Sequence, residues 1–136
     1  MPKRGNRIII DTNLWISFLL TNDYSKLDSI FKDNLVVLLF SQELLDEFIV
    51  VAQSPKFKKY FSFNDLQNLI LRLTEKAEFI EVKSVISICR DKKDNFILAL
   101  AKDGHASHSL TGDKDLIILR KIGKTKIVAI SDYLKN

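Results

Sequence analysis

The sequence predicts an α/β fold, with a mostly parallel sheet of about five strands covered by helices on both faces. Two observations carry this prediction. Short apolar runs rich in β-branched residues alternate with longer stretches of helical periodicity, as in strands joined by right-handed helical crossovers. The runs are also apolar along their length rather than at every second position, as in strands buried on both sides.

The first strand is Arg7 to Ile10, whose three consecutive isoleucines stop at Asp11. Asn13 can then cap a helix carrying Leu14, Trp15, Phe18 and Leu19, and Ser25 can cap another with Leu27, Ile30 and Phe31 facing inward. Leu35 to Phe40 is the second strand. Ser41 caps a helix with Leu44, Leu45, Phe48 and Val51 on its apolar face, which stops before Pro55. Asn64 starts a further helix through Leu66, Leu69, Ile70 and Leu73. Ala77 to Val82 reads as the third strand, with Phe79 and Ile80 inside. Asp94 to Lys102 is helical through Phe96, Ile97, Leu100 and Ala101, closed by Gly104 as a left-handed cap. A weak strand, Ala106 to Leu110, leads to Asp113. A short helix from Asp115 through Leu119 and a last strand, Lys126 to Ile130, complete the set.

Composition narrows the class. At 136 residues, with no Pro, Gly or Ser-rich stretch, residues 1–136 read as a single domain with one core. An apolar share of 46% and a charged share of 28% exclude a disordered chain, and no apolar run is long enough to cross a bilayer. The basic start Met1 to Arg7 leads into too few apolar residues for a signal peptide, so a cytoplasmic protein is expected. A single cysteine, Cys89, excludes an internal disulfide, disfavours zinc and reads as a small core hydrophobe. The net charge of +4 is compatible with a polyanionic partner and does not require one.

Chemistry concentrates in acids at element ends. Asp11 and Asp113 each follow an expected strand. In an open parallel sheet the carboxyl ends of the strands form the ligand crevice, so the two can converge despite their separation in sequence. Converging carboxylates repel one another and call for a cation. Glu47 and Asp94 stand beside apolar stripes, but periodicity does not separate Glu47 from Glu43 or Asp46, and Asp91 competes with Asp94. Each acid alone is far more often a helix cap or a solvated side chain than a metal ligand.

The set Asp11-Thr12-Asn13, Glu47 in Leu44-Leu45-Asp46-Glu47-Phe48, Asp94 in Asp91-Lys92-Lys93-Asp94-Asn95, and Thr111-Gly112-Asp113-Lys114-Asp115 resembles the PIN-domain nucleases over nearly the whole chain. It is most similar to the branch described as toxins of bacterial and archaeal toxin-antitoxin pairs, where a segment like Ser54-Pro55-Lys56-Phe57 also follows the Glu-bearing helix. The resemblance implies a three-layer α/β/α sandwich and metal-dependent cleavage of RNA. It also implies that Asp11, Glu47, Asp94 and Asp113 form the acidic quartet. Such carboxylates are hard oxygen ligands suited to Mg²⁺ or Mn²⁺. A small antitoxin covering the acidic crevice and a homodimer are the partners the resemblance implies.

Asn13 and Thr111 can support the ligands by hydrogen bonding, or can serve as a helix cap and a strand-end turn. Asp115 can be an outer acid or the cap of its short helix, capping being the commoner role. Lys56, Lys58 and Lys59 interleave with Phe57, Tyr60 and Phe61, a composition for phosphate contact and base stacking on single-stranded RNA. Its plainer alternative is a solvated turn anchored by Phe57 and Phe61. His105 and His108 are not expected to be catalytic. Trp15 is expected in the core or at an oligomer contact.

Two other functions compete. A receiver-like domain accepting a phosphoryl group on Asp would need an acid at the end of the middle strand Leu35 to Ser41, which has none. A PIN-like module that binds RNA or a partner without cutting is opposed only by the intact acids.

Overall fold

The computed structural model describes residues 5–33, 35–89 and 92–135. Asp91 and the basic start Met1 to Arg4 lie outside the described residues. Among the described residues six strands form one sheet: β1 (Arg7–Ile10), β2 (Val37–Phe40), β3 (Ala77–Phe79), β4 (His108–Leu110), β5 (Lys121–Ile122) and β6 (Thr125–Val128). Their spatial order is β3-β2-β1-β4-β6-β5, with every neighbouring pair parallel except β5 and β6. The helices are α1 (Thr12–Thr21), α2 (Ser25–Phe31), α3 (Gln42–Ala52), α4 (Phe63–Lys76), α5 (Lys92–Asp103), α6 (Lys114–Ile117) and α7 (Ile130–Lys135).

The chain builds β1, β2 and β3 outward on one side, then crosses to lay β4 on the other side of β1. This reversal opens a crevice between the carboxyl ends of β1 and β4, the switch point where α/β sheets bind ligands. Helices cover both faces. Phe40 meets the ring of Trp15 from α1 at 6.1 Å, and Trp15 in turn meets Phe48 of α3 at 6.4 Å. Leu39, which points the opposite way from Phe40, lies under Gly104 at the end of α5. Ile8, Ile9, Ile10, Leu38, Leu39 and Phe40 are therefore wholly buried, the state that a continuous apolar run predicts.

Two caps fix the helices that flank the sheet. Ser41 is buried, and its Oγ accepts from the Leu44 N–H at 3.1 Å. Ser62 caps α4 through a reciprocal pair: its Oγ accepts from the Asp65 N–H at 3.1 Å while Asp65 accepts from the Ser62 N–H at 3.0 Å. The helix expected to start at Asn64 thus begins at Phe63.

Several expectations are corrected. The sheet has six strands rather than five, because the two-residue β5 pairs antiparallel with β6. The second strand starts at Val37, leaving Leu35 about half exposed. The third ends at Phe79 rather than Val82, and as an edge strand it leaves Phe79 44% exposed. The fourth is confined to His108–Leu110. The last ends at Val128, because Ile130 already begins α7. Asp11 rather than Asn13 caps α1, and Ser25 is the first residue of α2 rather than its cap. α5 begins at Lys92, two residues before Asp94. The left-handed residue that closes it is His105, with φ 53°, rather than Gly104. Gly104 is needed for close approach: a Cβ there would stand 2.9 Å from Leu39 Cδ1 and 3.0 Å from the Leu100 carbonyl oxygen.

The weak fourth strand is held by its polar residues. Ser107 Oγ accepts from the Arg7 N–H at 3.0 Å, and the His108 ring meets Tyr133 of α7 edge-on at 4.9 Å. Trp15 is a core residue, with its indole N–H on the Ile10 carbonyl at 3.1 Å. Cys89 is half-buried against a small cluster of Leu98, Leu116 and Ile127.

Candidate active site

The register pairs Ile10 with Leu110, so the residues after them, Asp11 and Thr111, emerge side by side. The Asp11 N–H donates to the Leu110 carbonyl at 3.0 Å and the Thr111 N–H to the Val128 carbonyl at 3.0 Å, which ties three strand ends together. Thr111 Oγ1 donates to Asp11 Oδ2 at 2.9 Å and accepts from the Asp113 N–H at 3.0 Å. One hydroxyl therefore links both acids. Asp11 Oδ1 also accepts from the Asn13 N–H at 3.4 Å, capping α1.

Asp11 is only 7% exposed. Desolvation is the largest influence on its carboxyl and pushes its pKa above the ordinary value. The bonds from Thr111 and Asn13 oppose this, and the charge of Asp113 adds to it. Asp113 is half-buried, and its Oδ1 accepts from the Asp115 N–H at 2.9 Å. It is thus the cap of α6, the role expected of Asp115.

Glu47 projects from the middle of α3, and Asp94 from the first turn of α5. Asp11, Glu47, Asp94 and Asp113 line one cavity of about 150 Å³ together with Thr12, Asn13, Val51, Lys93 and Ile97. Four elements thus deliver four acids to one place at the switch point. Lys93 Nζ lies 3.0 Å from Glu47 Oε1. Asn13 is exposed at the cavity, whereas Thr111 is buried and is not among the lining residues. Asp115 is exposed and does not line it, nor do His105 and His108. Lys56, Lys58 and Lys59 lie on the turn after α3, whose last turn contributes Val51.

Sequence reasoning missed Lys93. It directly precedes Asp94 on one helix, but its partner stands on another, and no local pattern announces such a pair.

Among the described residues no group of three or more His, Cys, Asp or Glu side chains is close enough to hold an ion as they stand. The donor set nonetheless suits Mg²⁺ or Mn²⁺, which keep several waters and take one or two carboxylates directly rather than a closed cage. The residues fit a hydrated ion. Among the described residues no helix is long and apolar enough to cross a membrane.

A family model described as "PIN domain" matches residues 7–115. No curated protein matches the chain.

Proposed function

Because the chain belongs to the PIN domain family, we propose that it is a metal-dependent endoribonuclease acting in the cytoplasm as the toxin of a toxin-antitoxin pair. One observation carries the proposal: four carboxylates from separate elements line a single cavity at the sheet's switch point. Asp11, Glu47, Asp94 and Asp113 would hold Mg²⁺ or Mn²⁺. When bound, such an ion acidifies water and offsets charge on a phosphodiester.

The chain's own groups do the rest. Thr111 and the Asn13 N–H fix both oxygens of Asp11, so its carboxylate faces substrate in one orientation. Ionised beside the bound cation, that carboxylate would take the proton of the attacking water as the new P–O bond forms and the bond to the leaving oxygen breaks. The Asn13 side chain at the cavity can donate to a phosphate oxygen. An antitoxin would be a small protein that covers the same cavity, and a homodimer is the proposed assembly.

RNA would reach the cavity past the turn that follows α3. Phe57 and Phe61 pack against the core there, whereas Tyr60 is 61% exposed with Lys59 Nζ 5.3 Å from its ring centre. The anchored turn and the RNA-facing surface are therefore compatible. If Lys56, Lys58 and Lys59 meet phosphates, Lys58→Ala with Lys59→Ala should flatten the salt dependence of single-stranded RNA binding. The log–log slope should fall by about 0.7 for each phosphate no longer neutralised. An unchanged slope would leave these lysines in solvent.

Melting and cleavage test the whole reading. Mn²⁺ should raise the melting temperature by relieving carboxylate repulsion, and the protein should cut single-stranded RNA in a reaction that EDTA stops. A second reading, an RNA-binding module without catalysis, is favoured by the Lys93–Glu47 pair, which already neutralises one acid. RNA binding unaffected by EDTA, with no cleavage, would select it.

A further inference from the structure

We propose that Lys93 is a resident counter-cation of the acidic cavity and competes with the divalent ion for Glu47, so that loading requires the lysine to let go. This rests on the metal-dependent reading above and adds a residue that sets how readily the site fills.

The pair spans the cavity from two helices. Glu47 stands on α3 and Lys93 in the first turn of α5, their charged atoms are 3.0 Å apart, and both line the space that Asp11, Asp94 and Asp113 share. Among the described residues the lining thus carries four carboxylates and one ammonium. In the ion-free protein that ammonium offsets part of the repulsion among the acids. The Glu47 side chain is 26% exposed, so its charge is partly withdrawn from water, whereas the Lys93 side chain is 62% exposed and can swing outward without disturbing the core.

Whatever stabilises the ion-free form lowers the apparent affinity for the ion by the same factor. A partly exposed pair of this kind is a modest competitor, worth at most about fivefold in an equilibrium constant.

The experiment is calorimetric titration of the full chain with Mn²⁺ alone, in wild type, Lys93→Met and Lys93→Arg, with melting curves with and without Mn²⁺. Lys93→Met should bind Mn²⁺ more tightly, by up to about fivefold, and show a larger Mn²⁺-induced rise in melting temperature. Lys93→Arg keeps the charge and should behave as wild type. Equal or weaker Mn²⁺ binding by Lys93→Met would overturn the competition while leaving the metal site intact. No Mn²⁺ binding by any of the three would overturn both the competition and the reading it rests on.

Discussion

Asp11→Asn should abolish most cleavage and at the same time make the ion-free protein more stable. The amide keeps the size of the side chain, and its one oxygen can still accept from Thr111 while the longer 3.4 Å bond from the Asn13 N–H is given up, but it has no charge to hold a cation or take a proton. Loss of a positioned base alone costs roughly 10²–10⁴-fold in rate. The gain in stability follows from burial. Asp11 is 7% exposed and carries a raised pKa because desolvation outweighs its hydrogen bonds, so its charged form is a burden at neutral pH. Relieving such a burden at a functional site is worth on the order of 1 kcal/mol. A carboxyl with a raised folded pKa supports the fold fully below its unfolded value, 3.8, and that support is lost as pH rises through the folded pKa. The variant's advantage should therefore be present at neutral pH and vanish on acidification below that value. Urea denaturation at several pH values, without metal, measures it. An advantage that does not change with pH would remove the electrostatic cause.

Thr111→Val should damage both fold and activity. Valine matches threonine in shape but removes the hydroxyl that donates to Asp11 and accepts from the Asp113 N–H in a site only 1% exposed. A buried carboxylate oxygen stripped of its donor costs about 1–3 kcal/mol. Losing a partner that orients a ligand costs roughly 10–100-fold in metal affinity or activity. Thr111→Ser restores the hydroxyl and should recover most of the cleavage. Melting curves and single-turnover cleavage of the two variants separate the roles: full activity in Thr111→Val would show that the linked hydroxyl does not position the acids.

The central sheet was legible wherever one physical cause dominated. Three isoleucines before Asp11 required burial on both faces, and Ser41 ahead of an amphipathic stretch required a capped helix; both are present. Convergence of Asp11 with Asp113 followed from strand ends meeting at a crevice, and the paired register of β1 and β4 delivers it. What stayed hidden was set by tertiary contact. Lys121 and Ile122 form too short a strand to leave a pattern. Gly104 carries the usual mark of a left-handed cap but serves as a gap for Leu39, and His105 takes the positive φ. His108 and its flanking serines read as a poor strand because their partners, the Arg7 backbone and Tyr133, are distant in sequence. Glu47 and Asp94 could be chosen over their neighbours only by resemblance. The cavity includes both and omits Glu43 and Asp46 from its lining.

The most direct measurement is cleavage of a mixed RNA pool by the purified protein with Mn²⁺, by the same protein with EDTA, and by Asp11→Asn with Mn²⁺, the new ends being sequenced in each case. The account predicts cuts at a restricted set of sites in the first reaction and none above background in the other two. Equal cleavage in all three would contradict it.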